Sequence, residues 1–233
     1  MYCGAALQFH EVIEVHHTID NSRQGRNRRN IADRAFFAGN YEEAYEKYTS
    51  ALEDIGNDFV CLYRKAVTGV YVSFDNSFNR REFVTYMKEA CDENEKTKKL
   101  NKELYHRYLN QMESDLKALS AYCRGCATVK SNACKRESDC AIIEDKWRRY
   151  LDLTNAMLPY VKSETALIFI LQNALEFCNC NMPALYVRNG LRNMMHQRPD
   201  DLNQYVTSCV NEWSVRYEKL SRRHLVDETY PYP

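Results

Sequence analysis

Glycine and proline are scarce, 7 and 5 in 233 residues. A sandwich or barrel of this length needs many turns, so few breakers favour long helices. Neither sign of charge is in excess, with 32 Lys plus Arg against 32 Asp plus Glu. That balance argues against the whole chain coating nucleic acid or an anionic membrane, and leaves only a local basic patch open. Long hydrophobic runs are also missing. The longest strongly apolar stretch, Ala166 to Leu171, falls far short of the about 20 residues that span a bilayer. Glu11, Glu14 and Asp20 interrupt the region where a secretory segment would be apolar. The expected location is therefore the cytoplasm, where the 10 cysteines are reduced thiols or metal ligands rather than disulfides. There is no Gly-rich phosphate loop, no Gly-x-Ser-x-Gly elbow and no paired acidic motif. An absence of catalysis is the expectation from these gaps.

Packing groups, by contrast, are plentiful. Hydrophobic residues make up 45% of the chain, with 17 Tyr, 9 Phe and 2 Trp, enough for a core without disulfides. Residues 1–24 form a distinct N-terminal segment, with partial alternation through Leu7, Phe9, Ile13 and Val15 and a polar linker at 20–25. Helical periodicity then predicts helices over about 26–38, 41–54, 59–74 and 79–91. A long polar helix or helix pair follows over 93–122. Further helices are expected over 141–158, 164–177, 181–196 and from 200 onward. Residues 123–140 lack an apolar period and read as a Cys-rich loop, and 226–233 as a tail. The expected fold is all-α, with antiparallel helical hairpins stacked as a repeat-like array or an irregular bundle in one domain over 25–225.

The clearest pattern lies in residues 30–58. Tyr41, Ala44, Tyr45, Tyr48, Ala51, Leu52 and Ile55 fall on one face of a helix. Ile31, Ala32, Ala35 and Phe36 precede them, Gly39-Asn40-Tyr41 makes the turn, and Gly56 closes the segment. These positions resemble one tetratricopeptide repeat, with Ala32 in place of the usual Gly and Gly56 where a Pro usually stands. The resemblance implies a helical hairpin that holds protein or peptide partners. Residues 59–91 have hairpin length but lack the Gly-x-Tyr turn, so this is a single copy. A lone hairpin cannot bury its apolar face, and the following helices must stack on it. The hairpin is then either a binding groove or only the first pair of a helical domain. Asn30, Arg34, Tyr41, Tyr45 and Tyr63 are the candidate partner contacts.

Cysteine spacing suggests metal. Tyr2-Cys3-Gly4-Ala5-Ala6-Leu7 resembles half of a zinc-ribbon knuckle, an arrangement that bacterial proteins of unassigned function place ahead of tetratricopeptide-like helices. The partner cysteine is absent, so a degenerate remnant is expected. Cys123, Cys126, Cys134 and Cys140 could close a tetrahedral structural zinc site, although a flexible loop of free thiols fits the same spacing. His10, Glu11, His16 and His17 lack the spacing of a metalloprotease helix.

Arg23, Arg26, Arg28 and Arg29 form a basic cluster and give the alternative reading, a zinc-stabilised nucleic-acid binder. Asp20 and Asp33 flank the cluster and no aromatic interleaves it, which favours a solvated segment. The leading expectation is a non-enzymatic protein- or peptide-binding module of adaptor, scaffold or inhibitor type. An enzyme with an unrecognised site is a third reading.

Overall fold

The computed structural model describes residues 22–128, 133–134, 136–181, 186–189, 192–195 and 198–229. The zinc-knuckle remnant at Cys3 and the histidines at 10, 16 and 17 lie outside them. The fold is all-α, as the scarcity of breakers implies. Helix α1 covers residues 22–37, α2 Tyr41–Ile55, α3 Phe59–Ser73, α4 Arg80–Leu100 and α5 Lys102–Ala127. After β1, Ala133–Cys134, come α6, Glu137–Met157, and α7, Glu164–Glu176. Then follow β2, Tyr186–Asn189, β3, Arg192–Met195, and α8, Asp200–Thr229. Among the described residues no helix is long and apolar enough to cross a membrane.

The chain divides into two compact units. One comprises Met1–Val72 with Arg81–Leu109, the other Ser73–Arg80 with Asn110–Pro233. In the first, Ala32 and Ala35 of α1, Ala44, Tyr48 and Ala51 of α2 and Cys61 of α3 form one buried cluster. Small residues let these helices approach, and the Tyr48 ring fills the space beside them. Gly39 and Gly56 end α1 and α2 with φ of 78° and 67°, a left-handed conformation that glycine adopts without strain. Phe83, Met87 and Ala90 supply the buried face of α4. Phe59 stacks on Tyr108 of α5 with ring centroids 5.0 Å apart.

In the second unit the core is built from Met112, Leu116 and Leu119 of α5, Trp147, Tyr150 and Leu151 of α6, Ile170 and Leu171 of α7, and Leu202 and Trp213 of α8. Polar groups lock it. The buried Glu113 carboxylate accepts from the Lys162 and Ser163 amides at 2.6 and 2.9 Å, fixing the chain that enters α7. Trp213 Nε1 donates to Asn155 Oδ1 at 3.0 Å, and Tyr205 donates to Asp152 Oδ1 at 2.6 Å. Trp147 Nε1 donates to the Ala127 carbonyl at 3.1 Å.

Five sequence expectations need correction. The polar stretch 22–25 belongs to α1 rather than to a linker. The charged run after Cys91 continues α4 to Leu100, and α5 begins only at Lys102. Asn101 sets that break, because its side chain accepts the Leu104 amide at 2.9 Å, the usual action of an N-cap. The Cys-rich loop of 123–140 shrinks, since α5 holds Cys123 and Cys126 and α6 holds Cys140. Residues 186–189 and 192–195, read as helix, pair instead as antiparallel strands, with Asn189 opposite Arg192 and β1 parallel to β2. The expected tail from 226 is also helical as far as Thr229.

Gly25 marks a close approach of α1 to the end of α2. A Cβ there would lie 2.3 Å from Ile55 Cγ2 and 2.9 Å from Asp54 Cβ. Gly25→Ala therefore loses more to overpacking, about 1–3 kcal/mol, than it gains in helix propensity, about 1 kcal/mol. Gly125 in α5 has nothing within 4 Å of the same position, so Gly125→Ala should stabilise by roughly 0.5 kcal/mol. Denaturant melts of the two variants should move in opposite directions.

Candidate functional site

Helix α1 sorts its residues by face. At 100° per residue, Arg23, Gln24, Arg26, Asn27, Asn30, Ile31, Arg34 and Phe37 occupy an arc of about 160°, and all are exposed. Ile31 is 43% exposed and Phe37 72%. The opposite arc holds Gly25, Ala32 and Ala35, which are buried, and Phe36, which packs against the core. Ile31, which resembled a core position of a repeat, is thus a surface group.

Beneath this helix lies a buried cation. Arg64 of α3 is only 1% exposed. Its Nη1 donates to Asp33 Oδ1 at 2.6 Å and to the Tyr48 hydroxyl at 3.4 Å, and its Nε donates to the Tyr63 hydroxyl at 3.1 Å. The guanidinium carbon stands 4.8 Å from the ring centres of both Phe36 and Phe37. Tyr48 also donates to Asp33 Oδ1 at 2.7 Å. Burial pushes the Tyr48 hydroxyl well above the ordinary phenol value, an effect Arg64 partly offsets and Asp33 adds to. No feature of the periodicity reveals this network. Its one trace is the basic pair Arg64-Lys65 inside the apolar stretch Phe59 to Val67, flanked by Tyr63 and Ala66.

The five candidate contacts divide. Asn30 and Arg34 are exposed on the α1 arc. Tyr41 is half-buried and stacks on Tyr71 with centroids 3.9 Å apart and planes 6° from parallel. Tyr45 is half-buried and donates to Glu82 Oε1 at 2.5 Å. Burial first, then this bond, raise its hydroxyl above the ordinary value. Tyr63 is 0% exposed and serves the core instead of a surface.

The four arginines of the basic cluster divide as well. Arg28 pairs with Asp54 at 2.8 Å and donates to the Ser50 carbonyl at 3.1 Å. Arg29 pairs with Asp58 at 2.7 Å and more distantly with Asp33 at 3.9 Å. These two pin α1 to the end of α2 and the start of α3. Arg23 and Arg26 are exposed and make no ion pair among the described residues.

Of the four cysteines with zinc-like spacing, Cys123 and Cys140 are buried and Cys126 is half-buried. The Cys134 side chain lies outside the described residues. Among those described, no three His, Cys, Asp or Glu groups come together as a metal would require. Burial pushes the Cys123 thiol well above its ordinary value.

Comparison with protein-family models, with curated proteins and with solved structures finds no match to this chain.

Two outcomes test this arrangement. Asp33→Ala removes the carboxylate on the buried Arg64 and should cost on the order of 2–4 kcal/mol. That lies at or below the range for a fully buried pair, because Asp33 keeps 26% side-chain exposure. The double variant Asp33→Ala, Arg64→Met should lose less than the sum of the single losses, read by urea denaturation.

The second concerns alkali. Burial raises Cys178 to about 12 and lifts Tyr48, Tyr150 and Tyr205 above the ordinary phenol value. A group whose value rises on folding contributes stability that is complete below its unfolded value and is lost as pH rises through the folded one. The unfolding free energy should thus begin to fall above pH 9.0, the ordinary thiol value, and fall faster above 10.0, that of phenol. In the folded protein at pH 8, Cys61, Cys123 and Cys178 should resist alkylation, and unfolding should expose them.

Proposed function

We propose that this protein is a non-enzymatic helical module that docks a protein or peptide along the exposed face of α1. The observation that carries this reading is the sorting of α1. One arc builds the core, and the other presents Asn30, Ile31, Arg34 and Phe37 to solvent together. A large exposed aromatic beside an exposed arginine is the composition of interface anchors rather than of ordinary surface. The resemblance of residues 30–58 to a tetratricopeptide hairpin supports the same reading, as do the small residues that bring α1 and α2 together. The module is of adaptor, scaffold or inhibitor type and acts in the cytoplasm. The nucleic-acid alternative loses support, because Arg28 and Arg29 are engaged with Asp54 and Asp58.

Affinity capture from the native host tests the proposal. The intact chain should retain a partner that the double variant Ile31→Asp, Arg34→Glu releases, with the thermal midpoint of the variant unchanged because both side chains are exposed. A partner retained equally by the variant removes α1 from the docking surface.

A further inference from the structure

The described part of α1, residues 22–37, holds Arg23, Arg26, Arg28, Arg29 and Arg34 against the single acid Asp33, in a chain whose formal net charge is zero. The fold uses part of this charge. Arg28 and Arg29 face Asp54 and Asp58, and Asp33 turns to Arg64. The remainder, Arg23, Arg26 and Arg34, shares the exposed arc with no carboxylate of α1 and makes no ion pair among the described residues. We propose that this arc binds an extended acidic peptide carrying an apolar side chain at one end, with Arg23, Arg26 and Arg34 meeting its carboxylates and Ile31 with Phe37 meeting its apolar end. This deepens the docking reading above and rests on it.

The chemistry of the arc selects the occupant. Asn27 and Asn30 lie between the arginines, and an amide side chain offers both the donor and the acceptor that an extended backbone needs. From Arg23 to Phe37 the helix rises about 21 Å, the reach of about six or seven extended residues. A guanidinium meets a carboxylate through two parallel hydrogen bonds, which gives direction as well as attraction. Single-stranded nucleic acid fits less well. It calls for aromatic faces interleaved with the cations, and the exposed aromatic of α1, Phe37, sits at one end with the Arg64 guanidinium against its ring. Opposite charge also steers encounter, so binding should depend on salt.

The test uses the full chain and a fluorescein-labelled peptide of about ten residues, alternating glutamate with serine and closed by one phenylalanine. Fluorescence anisotropy should show saturable binding at low salt that weakens as salt is added. The triple variant Arg23→Glu, Arg26→Glu, Arg34→Glu should bind at least about tenfold more weakly. Phe37→Ser should reduce affinity about threefold, and substituting alanine for the peptide's phenylalanine should do the same. A peptide with lysine in place of glutamate should not bind. Circular dichroism melts of the triple variant should match the parent, which separates lost binding from lost folding. Equal binding by parent and triple variant overturns the proposal. Tighter binding of a single-stranded RNA oligomer than of the glutamate peptide does so as well, as does self-association of the chain that the triple variant abolishes. A cellular partner lost on replacing Ile31 and Arg34 but not displaced by the glutamate peptide leaves the docking reading standing and removes only its acidic chemistry.

Discussion

A guanidinium buried to 1% exposure constrains everything around it. Stripping its water costs several kcal/mol unless a carboxylate and good hydrogen bonds replace it. Arg64 obtains these only if α1 brings Asp33, α2 brings Tyr48 and α3 keeps Tyr63 within reach. The three helices therefore have little freedom to slide, because a shift of one turn would strand the charge. Hydrophobic burial of Ala32, Ala44 and Ala51 would tolerate several packings. The polar group selects one. It also draws the only acid of the described α1 inward, so the charge left on the outer face follows from how the inner face is satisfied.

Much of the helical layout was legible. The stripes of α2 and α8 repeat strictly enough that period alone places them, and the structure buries Ala44, Tyr48 and Ala51 in one and Leu202, Cys209 and Trp213 in the other. Boundaries set by a single polar side chain were harder. Asn101 divides a continuous charged run, and nothing in the hydrophobic pattern marks it. Gly25 reads as a linker residue because glycine usually breaks helices, whereas here it is the one residue small enough to pass Ile55. The strand pair at 186–189 and 192–195 hides behind an Asn-Met-Pro that suggests a helix start.

The candidate site was half legible for a related reason. Exposure along a helix depends on which arc its neighbours cover, and a sequence reports that only for strongly amphipathic segments. Asn30 and Arg34, two of the candidate contacts, are exposed on the outer arc of α1. Ile31 and Tyr63 exchanged places. The aliphatic residue faces solvent, and the tyrosine, which has a polar tip suited to a surface, directs that tip at a buried arginine. The basic cluster at 23–29 looked uniform in sequence, yet ion pairing divides it into a structural half and an exposed half.

The two tryptophans of the chain, Trp147 and Trp213, are both fully buried and both lie in the second unit. Indole emission is therefore a local optical reporter. It registers the loss of the α6 and α8 core and carries no direct signal from the unit that contains α1, which holds no tryptophan. A melt followed at the indole band and one followed by backbone ellipticity observe different portions of the molecule. Coincidence of the two curves would mean that the units lose structure in a single step.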